Sequence, residues 1–98
     1  MRKITSEACA ALMGGYALNK QNMRVYEASD GWGMMLFGNL IAQHLPDDKI
    51  LAITTAGWNT NTTRERLNGL PGVHVYKNKG ILHLNGEVWD GKWKTIKY

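Results

Sequence analysis

Thr60, Thr62 and Thr63 run into Arg64 and Arg66 within a few positions. Hydroxyls, free amides at a helix start and two guanidinium groups at this spacing suit an anion such as a phosphate. The same residues also make an ordinary helix cap. Thr62-Thr63-Arg64-Glu65 has a hydroxyl followed three positions later by a glutamate, the pattern of a capping box, with both arginines then left in water. Arg64 and Arg66 are two positions apart, so they do not share a helical face, although both border one loop. Capping is the reading the residues favour, and anion contact is the sharper alternative.

A second pattern interleaves aromatic and basic residues: Tyr76-Lys77, Lys79, Trp89, Lys92-Trp93-Lys94 and Tyr98. Rings beside a cationic track bind single-stranded nucleic acid with little sequence preference. Tryptophans in a small chain more often fill the core, so Trp58, Trp89 and Trp93 are expected inside. Trp32, set between Gly31 and Gly33, is the aromatic expected to stay partly exposed. Met34-Met35-Leu36-Phe37 is expected in the core rather than on a sticky contact surface.

Other familiar chemistry is missing. His44, His74 and His83 fall on predicted strands without zinc-ligand spacing. Cys9 sits among alanines and reads as a small buried thiol. Asp47-Asp48 follows Pro46 in a turn, which explains the pair better than general acid–base work does. Gly31-Trp32-Gly33 lacks the third glycine and the strand-to-helix context of a dinucleotide fingerprint, and no phosphate loop or nucleophile elbow is present. No catalytic residue, metal or cofactor is therefore expected. A phosphorylated small molecule turned over at the second helix start is the enzymatic alternative.

The 98 residues suit one domain, since two separate cores do not fit this length. An apolar fraction of 44% excludes a disordered chain. No apolar run approaches a bilayer span, and the start has no signal-peptide pattern. A lone cysteine suits a reducing cytoplasm. Residues 1–57 carry five bases and five acids, whereas residues 58–98 carry seven bases and three acids. The whole net charge of +4 thus sits in the second half. That asymmetry attracts nucleic acid or an acidic protein surface, or else simply aids solubility.

The elements that must position these residues read as α+β. Ile4, Ala8, Ala11 and Leu12 recur at helical spacing, with Thr5 as the expected N-cap and Gly14-Gly15 as the stop. Residues 16–21 read as a loop. Residues 22–28, 32–37, 40–45 and 50–55 read as strands. They are separated by turns at Ser29-Asp30-Gly31, Gly38-Asn39 and Pro46-Asp47-Asp48. No crossover helix fits between them, so the sheet is an antiparallel meander. A short second helix carries Leu67 and Leu70 and ends near Gly69 and Pro71-Gly72. Hairpins follow, with a three-residue loop at Asn78-Lys79-Gly80 and tight turns at Asn85-Gly86 and Asp90-Gly91. Trp93 is expected inward, with Lys92 and Lys94 outward.

The run Ala56-Gly57-Trp58-Asn59-Thr60-Asn61-Thr62-Thr63-Arg64-Glu65-Arg66-Leu67-Asn68-Gly69-Leu70 resembles a segment of small, mostly uncharacterised bacteriophage proteins. The likeness extends to the N-terminal Ile-Thr…Ala helix, to Leu36-Phe37-Gly38-Asn39-Leu40-Ile41-Ala42, and to the C-terminal stretch from Leu84 to Trp93. The resemblance implies phage origin and expression in a bacterial cytoplasm. By analogy with other small phage proteins, it implies binding to host machinery such as a CRISPR effector.

Together these readings lead to a non-enzymatic phage accessory protein that binds and inhibits a host protein complex, an anti-CRISPR or other anti-defence inhibitor. The alternative is a single-stranded DNA- or RNA-binding protein that uses the basic half. The candidate binding residues are Trp32, Thr60, Thr62, Arg64, Arg66, Lys77, Lys79, Lys92 and Lys94, with no metal, cofactor or membrane partner.

Overall fold

Helix α1 (Lys3–Gly14) buries Ile4, Ala8, Ala11 and Leu12, the stripe that its spacing predicts, together with Thr5 and Cys9. The structure, a computed structural model, describes residues 1–97. Helix α1 lies on an antiparallel sheet of β1 (Leu18–Lys20), β2 (Met23–Glu27), β3 (Trp32–Leu36), β4 (Asn39–Leu45), β5 (Ile50–Ile53) and β9 (Lys94–Lys97). The strand order is β1-β2-β3-β4-β5-β9. A second sheet joins β6 (Val75–Asn78), β7 (Ile81–Leu84) and β8 (Glu87–Val88), and α2 (Asn61–Leu67) connects the two sheets along the chain. The fold is α+β, with a meander and an N-terminal helix.

Cross-strand registers set the core. One row runs Leu18, Val25, Met34, Ala42, Ile53 and Lys94, and its middle four members are buried. A second runs Trp32, His44, Leu51 and Ile96. His44 is buried, and its Nδ1 lies 3.1 Å from the Leu12 carbonyl, among the last carbonyls of α1, which have no partner within the helix. Lys94 ends its row on the edge strand, where a lysine in the core-facing register discourages sheet-to-sheet pairing. A β-bulge interrupts the β3–β4 ladder, with Met34 opposite Ala42 and Met35 opposite Leu40. It leaves Ile41 out of register, and both Ile41 and Ala42 are buried.

The structure corrects several local expectations. Arg2, not Thr5, is the N-cap of α1, and Thr5 is buried in the first turn, where it bonds to Glu65 and Arg66. Residues 18–20 of the expected loop form β1, because Leu18 finds Val25 as a cross-strand partner. Thr60, not Thr62, caps α2: its Oγ1 accepts the Thr63 N–H at 3.1 Å. Glu65 cannot complete the expected capping box, because its carboxylate is bound to Thr5 and Arg66 on the far side. The Lys79-Gly80 turn holds two residues between the paired Asn78 and Ile81, not three. The last strand is no C-terminal hairpin partner of β8; it crosses to β5, with Ile53 opposite Lys94.

Candidate functional site

The β3–β4 turn is Phe37-Gly38, one position earlier than the sequence suggests. Leu36 pairs with Asn39, and both central residues are left-handed, with φ of 51° and 79°. That is the geometry of a two-residue type I′ turn, which favours Asn-Gly. A phenylalanine held there is strained, and the residue is 70% exposed. Phe37→Asn is accordingly expected to stabilise the fold by about 1 kcal/mol, raising Tm by roughly 4–8 °C in a domain of this size. A thermal scan checks it. A lower Tm would mean that the ring packs well enough to outweigh its backbone strain.

Facing this turn is the segment between β5 and α2. Ala56 and Gly57 are left-handed (φ 54° and 85°). Thr54 Oγ1 accepts the Ala56 N–H at 3.1 Å and donates to the Gly91 carbonyl at 2.7 Å. The Trp58 N–H donates to the Thr55 carbonyl, and the Thr60 N–H to that of Trp58, both at 2.9 Å. These bonds hold Trp58 on the surface with 58% of it exposed. Between Phe37 and Trp58 lies a groove of about 470 Å³. Leu36 and Ile41 lie beneath it, Ile41 having been freed by the bulge; Asn39, Thr60, Thr62 and Thr63 supply its polar atoms. A second, wider hollow of about 550 Å³ shares Thr55 and is bordered by Ala56, Gly57, Asp90, Lys92 and Trp93. Trp93 is 50% exposed.

The expected burial of tryptophans is therefore corrected. Trp89 is inside, with its indole N–H donating to the Lys92 carbonyl at 3.0 Å, but Trp58 and Trp93 are outside. Trp32 is partly buried beside the C-cap of α1, next to Gly15, and lines neither hollow. Within the Met34–Phe37 run, Met34 and Leu36 are core and Phe37 is not. Tyr98 lies outside the described residues.

Thr60 and Thr62 reach the groove, so the structure brings two of the candidate residues together there. Arg64 is turned back on its own turn, donating to the Asn59 carbonyl at 3.1 Å, to Asn59 Oδ1 at 2.6 Å and to Asn61 Oδ1. Arg66 is no surface cation: it is 2% exposed and bonds to Thr5 at 3.0 Å, Asn22 at 3.3 Å and Glu65. These contacts make the second helix start a cap and an internal brace. Lys77 and Lys79 sit on the β6–β7 hairpin and line neither hollow, Lys92 borders the wider one, and Lys94 lies on β9. Phe37, Trp58 and Asn39 line the groove without being among the residues that the sequence singles out for binding, and Trp93, expected inside, borders the wider hollow. Phe37-Gly38 could have revealed the first, since a phenylalanine in a turn that wants asparagine is a local conflict.

Burial pushes the Cys9 thiol up to about 12; the nearby Glu65 charge adds to the rise and Arg66 opposes it. Its sulfur lies 3.4 Å from the Arg66 carbonyl. Native protein at pH 8 is expected to resist thiol alkylation, with labelling appearing only on unfolding. Mass spectrometry distinguishes the two, and rapid native labelling would contradict the buried placement. Among the described residues, no group of three or more His, Cys, Asp or Glu side chains is placed to hold a metal ion. Nor is any helix long and apolar enough to cross a membrane.

A family model described as Kyanoviridae Gp96 protein matches residues 1–97. No curated protein and no solved structure matches the chain.

Proposed function

From the premise that the chain belongs to the Kyanoviridae Gp96 family of phage proteins, we propose that it is a non-enzymatic accessory protein acting in the bacterial host cytoplasm. It binds a host protein complex and inhibits it by occupying a working surface. A CRISPR effector or another defence assembly is the class of target this reading favours. The observation that carries it is the exposure of Phe37 and Trp58 across one groove, with Trp93 in the adjoining hollow. Large rings held in water on short, hydrogen-bonded turns are the residues that dominate protein interfaces once covered. The excess positive charge of the second half steers association toward an acidic surface.

The test is capture from host cells by the tagged full chain at moderate salt. A stoichiometric protein partner that is lost with Trp58→Ala supports the reading. Recovery of nucleic acid alone overturns it.

A second reading has its own observation: Trp93 stands exposed between Lys92 and Lys94, themselves exposed. A ring flanked by two cations suits single-stranded DNA or RNA. Fluorescence anisotropy with short oligonucleotides separates the two. Affinity that falls steeply with salt, and that Lys92→Glu with Lys94→Glu weakens for every sequence alike, favours nucleic acid.

A further inference from the structure

We infer that the Phe37–Trp58 groove receives one uncharged apolar side chain, aromatic or branched aliphatic, projecting from a host polypeptide. The inference rests on the protein-binding reading above and names the chemistry of the partner's anchor. Among the described residues, none of the nine that line the groove is ionisable. Its floor, Leu36 and Ile41, is 4% and 1% exposed, and its polar atoms are neutral hydroxyls and one carboxamide. A charged group entering it would lose part of its hydration with no countercharge beside it. An apolar group entering it loses only unfavourable contact with water. Charge matching therefore selects an uncharged apolar occupant, and Thr62 and Asn39 offer neutral partners to the backbone that carries it.

The exposure of the walls selects a polypeptide over a free small molecule. Small-molecule sites enclose roughly 70–90% of their ligand. Here the walls themselves face water, Phe37 at 70% and Trp58 at 58%. A small ligand between them would leave their outer surfaces wet. A protein surface covers both rings, and Trp93 in the adjoining hollow, in one contact, as the dry ring around an interface anchor requires. Both walls are already in place. Phe37 sits in a closed two-residue turn, and the bonds of Trp58 with Thr55 and Thr60 fix its backbone, so little conformational freedom is left to lose on binding.

The test is selection from a random displayed-peptide library on the full chain at moderate salt, followed by titration of the recovered consensus peptide. The expected consensus holds an uncharged aromatic or branched aliphatic residue at one fixed position, and changing that residue to aspartate weakens binding at least tenfold. Phe37→Asn, which keeps the turn, and Trp58→Ala are each expected to weaken binding at least tenfold as well. A consensus with Lys, Arg, Asp or Glu at its fixed position overturns the inference. So does a peptide that binds both variants as tightly as the parent chain; protein binding then stands, and only the groove assignment falls. Recovery of no peptide, while the chain still captures a host protein stoichiometrically, likewise overturns it. Failure of host capture altogether removes the underlying reading, and the inference with it.

Discussion

Arg66→Ala is expected to lower folding stability by about 2–4 kcal/mol, because it deletes a fully buried side chain and breaks its ion pair with the partly exposed Glu65. The guanidinium joins three segments distant in sequence: Thr5 in α1, Asn22 at the β1–β2 turn and Glu65 in α2. Removing it leaves a cavity, takes away one of the two bonds of the Thr5 hydroxyl and leaves the Glu65 carboxylate without its cation. Domains of this size have about 5–15 kcal/mol in total, so the variant approaches the point of unfolding. Arg66→Lys keeps the charge but not the planar fork that reaches three partners, and is expected to fall between the two. Urea denaturation of the three proteins checks the order. An Arg66→Ala loss under 1 kcal/mol would mean the cluster is solvated in solution.

Acid should reach the same cluster through Glu65. Partial burial by itself raises the pKa of this carboxyl. The hydrogen bonds from Thr5, Arg66 and the Arg2 N–H, with the Arg66 charge, outweigh that effect and hold it below its ordinary 4.5. The folded state therefore binds the proton less readily than the unfolded state. The contribution is fully present above pH 4.5, the ordinary value, and is lost as pH falls from there through the lowered folded pKa. Glu65→Gln is expected to be less stable at neutral pH and to lose less stability on acidification than the parent. Unfolding midpoints measured at pH 7, 4 and 3 decide it, and parallel declines would rule out Glu65 as a source.

Gly31→Ala is expected to cost about 1–3 kcal/mol or more, out of proportion to one added methyl. A Cβ there would stand 2.1 Å from the His44 carbonyl oxygen and 3.3 Å from Leu45 Cα. Both are backbone atoms of the neighbouring strand and cannot swing aside as a side-chain tip would. The β2–β3 turn, closed by the Ala28 N–H on the Gly31 carbonyl at 2.7 Å, must open or β4 must shift. Either disturbs the row of Trp32, His44 and Leu51 behind the sheet. A displaced urea midpoint checks the size. An unchanged midpoint would show that this corner has slack.

Much of the architecture was legible because it is local. Met23-Arg24-Val25 alternates with period two and forms β2, with Met23 and Val25 inward. Asn85-Gly86 turns where such a pair should, between the paired Leu84 and Glu87. The candidate site was less legible. Gly38-Asn39 reads as the turn one residue after the real one, which hides the strain at Phe37, and Thr62 reads as the cap that Thr60 provides.

By itself, then, the sequence determined the α1 stripe, the meander, the short second helix, the placing of positive charge and the phage kinship. Periodicity and turn chemistry depend on backbone sterics within a few residues, so each segment declares them alone. Only the tertiary structure decided that Arg66 is an internal brace, that β9 joins β5, and that Trp58 and Trp93 face water. Those outcomes depend on which distant segment covers which side chain. Arg66 meets Thr5 from 61 positions away, and no window of local pattern contains both residues.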